Sequence, residues 1–314
     1  MNDTGALHME RAHTEGSRAP NRRLIGPYHL ITRLDPSGPG FPPAPQRRFI
    51  ARSPDGDRTV LLSAPLDGTD PARFLVEADA ARLLSVPWVA PVTEVSPPSG
   101  APWYTSPYLP ALPLPVVLAV HGGPLPERTV RVIGAALAET LAGAHAAGVT
   151  HAGLSPAAVL LGGDGPRLTS FGAVRAAAPD GEQRSGLPGL EPGSLAPEQA
   201  SGGRPRPPGD IYALGAVLAY AATGHTVPDS AELPASLRSL ISRCLTRDPA
   251  ARPSAVEVLT ALPTVSAAPS ATVLDSAAAL LTPGWLPGRV VAAVARQSAE
   301  VLAAEIRVPQ TPER

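Results

Sequence analysis

From Leu24 the chain alternates apolar and polar positions in short bursts. Tyr28–Leu34 (YHLITRL), Arg48–Arg52 (RFIAR) and Thr59–Ala64 (TVLLSA) are rich in β-branched residues and predict strands. A Ser53-Pro54-Asp55-Gly56 turn joins the last two. The stretch DPSGPGFPPAPQRR before Phe49 has too many prolines and glycines for regular structure. Asp70–Leu84 carries apolar residues near helical spacing, and Val86-Pro87 ends that helix. Val89–Val95 and Trp103–Tyr108 predict strands around an SPPSGAP turn. Residues 24–110 thus predict a mostly antiparallel sheet of about five strands with one helix.

After Pro110 the period changes. Pro126–Ala147 repeats Val130, Ile133, Leu137, Leu141 and His145 at helical spacing, and Gly148 supplies a stop. Val159–Gly162 and Arg167–Thr169 predict a hairpin around Gly163-Asp164-Gly165. Ala173–Gly209 has no period and predicts an irregular segment. Ile211–Thr223 is apolar around most of its circumference and predicts a buried central helix. Leu237–Leu245, Ala255–Leu262 and Val290–Ile306 predict three further helices. The parts are a disordered leader (1–23), a β-rich lobe (24–110), a helical lobe (111–262), a linker (263–274) and a helical tail (275–314).

Composition narrows the chemistry. Of 314 residues, 40 are proline, about 13% against a usual ~5%, so much of the chain is loop or linker. The formal net charge of −1 gives no general attraction to nucleic acid or acidic membrane. One cysteine, Cys244, excludes an internal disulfide and a cysteine-based zinc site, and reads as a small core residue. His121, His145 and His225 lack ligand spacing, so no metal site is expected. No apolar run is long enough to span a bilayer, and Met1–Pro20 lacks the apolar core of a secretory signal, so a cytoplasmic protein is the expectation. All 26 basic residues counted with lysine are arginine; the sequence has no lysine, and its two asparagines are Asn2 and Asn21. Chemistry that needs a lysine ammonium, or an asparagine in the folded body, is not available.

Several strings go further. HAAGVTHAGLSPAAVLLGGDGPRLTSFGAVRA, LAPEQASGG, GDIYALGAVLAYAATG and RCLTRDPAARPSAVEVL keep the order and spacing of strings in bacterial serine/threonine protein kinase domains of the actinobacterial type. Residues 24–262 resemble that family. The resemblance implies an α+β, bilobal protein-kinase-like fold, with a small antiparallel sheet lobe plus one helix and a larger, mainly helical lobe. It also implies that His151 and Phe171 pack between the lobes and that Gly172 follows in the metal-binding triplet. Asp210 would tie down the catalytic-loop backbone, and Glu198 would pair with Arg252.

The same strings lack the charged groups that phosphoryl transfer uses. By the resemblance, the strand lysine position is Ser63 and its partner position is Glu77. The catalytic aspartate position is Gly153, preceded by Ala152, and the lysine after it is Ser155. The metal-binding asparagine and aspartate positions are Ala158 and Ser170. The glycine-rich loop is reduced to Gly38 and Gly40 within DPSGPG. A serine hydroxyl alone is a poor magnesium ligand, and one lost electrostatic group typically costs about 10²–10³ in rate. Arg47 or Arg48 could reach a phosphate from the small lobe, with different geometry; Asp164 reads as a turn residue; Glu77 is left to solvent or to an arginine.

Two readings follow. One is a pseudokinase: a kinase-like domain without catalysis that binds or scaffolds another kinase or signalling protein. The other is a serine/threonine kinase or ATP-binding protein with rearranged, weak chemistry. Its residual nucleotide cleft would involve Gly38, Gly40, Glu77 and the hinge backbone near Tyr108 and Leu109, and its ATP use would be weak or metal-independent. Ala152 removes the arginine that would pair with an activation-segment phosphate, although Ser185 and Ser194 remain targets for another kinase.

Overall fold

The sheet lobe is built from strands whose two faces are both covered. The computed structural model describes residues 24–36, 38, 40–262 and 277–304; the leader and linker expectations at 1–23 and 263–274 lie outside them. Strands β1 (Leu24–Ile25), β2 (Tyr28–Arg33), β3 (Arg47–Arg52), β4 (Thr59–Ala64), β5 (Glu94–Val95) and β6 (Tyr104–Pro107) form one antiparallel sheet in the order β1-β2-β3-β4-β6-β5. Period-two alternation sends Ala51, Val60 and Leu62 to one face, with Tyr28 and Trp103. Ile50 and Leu61 face the other way, toward Leu34, Ala111 and Leu160. Helix α1 (Pro71–Arg82) is capped by the Asp70 carboxylate, which accepts from Ala72 and Arg73 N–H, and packs Phe74, Leu75 and Ala78 against Val92 and Tyr104.

The helical lobe starts with β7 (Ala111–Pro113), which joins β8 (Val159–Gly162) and β9 (Gly165–Leu168) in a second antiparallel sheet. Around it lie α2 (Leu114–His121), α3 (Glu127–Ala146), α4 (Ala173–Ala177), α5 (Pro197–Ala200), α6 (Pro207–Thr223), α7 (Ala235–Cys244), α8 (Ala255–Ala261) and α9 (Gly288–Ala303). Helix α6 is the apolar axis: Ile211, Leu214, Val217 and Leu218 are buried among α3, α7 and α8, and Cys244 lies in the same core. Among the described residues no helix is long and apolar enough to cross a membrane.

The architecture is the expected bilobal α+β one, with several local corrections. Val89–Val95 is not one strand. Pro91 cannot donate to a ladder, and only Glu94–Val95 pairs in the sheet, while Val89 bridges Leu168 of the other lobe, the Trp88 carbonyl accepting from Leu168 N–H and Ala90 N–H donating to the Leu168 carbonyl. Helix α2 has no periodic signal in the sequence, because LPVVLAVH is apolar without a period and has proline in its first turn. Helix α6 begins four residues before Ile211, because Pro207 and Pro208 fit its first turn. The segment 173–209, read as irregular, carries α4 and α5. It is folded around Arg184, whose fully buried guanidinium donates to the Gly203 carbonyl (2.8 Å) and Asp180 (2.9 Å).

Candidate functional site

The register of β3 on β4 sets Arg48 opposite Ser63. Both are buried. Ser63 lines a cavity with Gln46, Glu77, Tyr104 and Ser170. Arg48 points into the junction of the lobes with no exposed surface. Its Nε donates to Asp35 (3.0 Å), its Nη2 donates to the other Asp35 oxygen and to the Ala157 carbonyl (2.6 Å), and its Nη1 donates to Thr169 Oγ1 (2.9 Å). A buried ion pair offsets its desolvation only when further hydrogen bonds satisfy it, and this guanidinium has them. Arg48 therefore ties the end of β2 to the loops on either side of the β8–β9 hairpin. The aspartate it holds, Asp35, is buried and opens the glycine-bearing loop.

Glu77 is committed elsewhere. Arg175 on α4 grips it bidentately, Nε to Oε1 at 2.8 Å and Nη2 to Oε2 at 2.7 Å, and donates to Thr150 as well. Of the two alternatives open in the sequence, the arginine is the one realised. Gly172 passes so close, at φ +75°, that a Cβ there would lie 2.1 Å from Glu77 Oε2. A side chain is excluded on both counts.

The loop backbone keeps a special conformation where the side chains have gone. Ala152 (φ 50°) and Ser170 (φ 65°) are non-glycine residues in the left-handed region, a strain of about 1–3 kcal/mol each that the surroundings must hold. Asp210 does much of the holding. Its carboxylate accepts from His151 N–H (2.8 Å), Ala152 N–H (2.9 Å) and the His145 ring (2.9 Å). The His151 ring rests 4.2 Å from Phe171, centre to centre, and its Nε2 meets the Thr169 carbonyl at 3.0 Å. Burial pushes the His151 pKa down to about 4, so the ring is neutral at pH 7 with its proton on Nε2. Gly153 has no room: a Cβ would lie 2.7 Å from Ala173 Cβ and 2.9 Å from the Ser170 carbonyl oxygen. Ser155 and Ala158 are buried beside it.

Glu198 and Arg252 do meet, at 2.6 and 2.8 Å, and Arg252 also caps the Pro208 and Thr246 carbonyls. The residues named for a nucleotide cleft do not converge. Gly38 and Gly40 are exposed with nothing within 4 Å of a Cβ. Tyr108 and Leu109 line an apolar cavity with Leu34, Ile50, Leu61 and Leu160, and Glu77 lines the separate one behind Leu61. Of the two serines offered for modification, Ser185 is exposed and Ser194 is buried. Asp164 is held by Arg167 at 2.6 Å, across the turn. Among the described residues no cluster of His, Cys, Asp or Glu forms a metal site. Asp35, Arg175 and Thr169 carry the arrangement, and no local motif marks them. Their signal is pairing across 13 to 121 residues, which needs the register to be visible.

No family model matches the chain. It is 33% identical over 76% of its length to "Probable serine/threonine-protein kinase PkwA" of Thermomonospora curvata, covering 34% of that protein. It is 32% identical over 86% of its length to "Serine/threonine-protein kinase AfsK" of Streptomyces coelicolor, covering 35%. The chain therefore spans about a third of the length of these curated relatives. Its fold matches the crystal structure of the M. tuberculosis PknI kinase domain with a TM-score of 0.56 at 23% identity, covering 78% of this chain and 97% of that one. The fold is that of a protein kinase domain, and the curated relatives it matches are bacterial serine/threonine protein kinases by name.

Proposed function

We propose that this kinase-like domain does not transfer phosphate and serves as a binding or scaffolding module for another kinase or signalling protein. The observation that carries the reading is the buried Arg48–Asp35 pair, locked to Ala157 and Thr169. A triphosphate with its metal needs cations and metal-ligating carboxylates at this junction. Here the Arg48 cation is already neutralised, the Asp35 carboxylate that neutralises it has both oxygens engaged, and Ala158 and Ser170 supply no anionic ligand. The residues present do not fit Mg·ATP. The crowding at Gly153 adds that a base cannot simply be put back, because the backbone has closed over the place its side chain would take.

A second reading, a serine/threonine kinase or ATP-binding protein with rearranged chemistry, is favoured by the names of the relatives. Two measurements separate the readings. Millimolar Mg·ATP is expected to leave the melting temperature unchanged, whereas saturating a site a hundredfold above its dissociation constant would add about 2.7 kcal/mol. Radiolabelled phosphate is expected to be incorporated neither into the chain nor into a generic acceptor protein. Incorporation that disappears in Glu198→Ala would establish the second reading and overturn the first.

A further inference from the structure

Helix α9 touches both lobes. Just before it and in its first turns, Trp285, Leu286, Val290 and Val294 sink into the core of the helical lobe. Eleven residues after Val290, roughly 16 Å along the axis, Val301 is 1% exposed. It belongs to a different apolar cluster: Leu34, Ile50 and Leu61 of the sheet lobe with Ala111 and Leu160, and Tyr108 half-buried against them. These residues, Val301 aside, line the hinge-side cavity of the cleft. The neighbouring Leu302 is 77% exposed. Burial at Val301 is thus a matter of the face it presents and not of a generally covered helix end.

A second contact fixes this end. Arg52 Nη2 donates to the Val301 carbonyl at 3.2 Å, one of the last-turn carbonyls that a helix leaves without an internal partner. Arg48, Ile50 and Arg52 alternate along one face of β3. The first holds the lobes together, the second lines the cavity and the third holds the helix over it.

We infer that the last turn of α9 is a built-in lid: Val301, held by Arg52, covers the apolar hinge-side mouth of the inter-lobe cleft, and anything entering that mouth must displace it. The contact is autoinhibitory in form, since one segment of the chain competes with an outside occupant for one surface. The inference rests on the cleft being a binding surface, as in the proposed function, and is independent of whether phosphate is transferred.

The lone cysteine makes a clean test. Cys244 is buried and its thiol is pushed up to about 12, so it stays silent toward alkylation. In the full chain, Val301→Cys is expected to react with iodoacetamide at least about tenfold more slowly than Leu302→Cys, and at the same rate in denaturant. Equal native rates would overturn the lid. In Val301→Asp, hydrogen exchange at Tyr108, Leu109, Ala111 and Leu112 is expected to speed up at least about tenfold, while Leu214–Leu218 stays protected. An unchanged hinge would also overturn it; should the Leu214–Leu218 amides be lost too, the cysteine pair decides. Neither readout involves phosphate, so a result that sinks the pseudokinase reading leaves this one standing, and the reverse.

Discussion

Arg48 concentrates more of this protein's individuality than any other side chain. Truncating one member of a buried, hydrogen-bonded pair strands the other's charge. Arg48→Met is therefore expected to destabilise the domain by about 3–5 kcal/mol, while Arg48→Met with Asp35→Leu recovers most of the loss. Chemical denaturation of the two variants checks this, and a double variant as unstable as the single one would show that the pair is not acting alone. His151 offers a second residue-level test. Its folded pKa lies below the usual value because burial disfavours the charged ring, with Arg175 and His145 adding to that and Asp210 opposing it. The unfolded chain therefore binds the extra proton first. The stabilisation is complete above pH 6.5 and is lost as pH falls toward 4, by up to about 3 kcal/mol. His151→Gln, which keeps an N–H to offer Thr169, is expected to flatten the pH dependence of stability over that window.

At the scale of elements, the helices of the large lobe pack without slack. A Cβ on Gly215 of α6 would lie 2.6 Å from Cys244 Cβ on α7, so Gly215→Val is expected to cost about 1–3 kcal/mol through overpacking. A thermal melt reads this directly, and an unchanged midpoint would mean that α7 moves freely. Elements with a strong period were legible: α3 buries Val130, Ile133, Leu137 and Leu141, the stripe its spacing announced. Elements without one were not. Helix α2 is apolar all round, and in the run 173–209 the buried Arg184 hydrogen bonds and an apolar cluster of Val174, Leu190 and Leu195 are assembled from residues without a common period.

For the molecule as a whole, three of the side-chain ties between the lobes and the tail stand out: Arg48 to Ala157 and Thr169, Glu77 to Arg175, and Arg52 to the end of α9. Glu77→Gln weakens the second without changing shape, and is expected to lower stability by about 1–3 kcal/mol. It should also quicken proteolysis near α4 (Ala173–Ala177). If cleavage there is no faster, the pair is incidental to lobe closure.

The absences were readable from composition and order alone: no lysine anywhere, no asparagine in the body, and glycine, serine and alanine where charged groups are looked for. Side-chain identity is a local property, and a missing charge cannot be restored by folding. What replaces the missing groups was decided only in three dimensions. Asp35, Arg48 and Thr169, Glu77 and Arg175, and Arg52 and Val301 are separated by 13 to 249 residues. Strand register and the closure of the two lobes are what bring such partners within hydrogen-bonding distance, and neither is written in any one stretch of the chain.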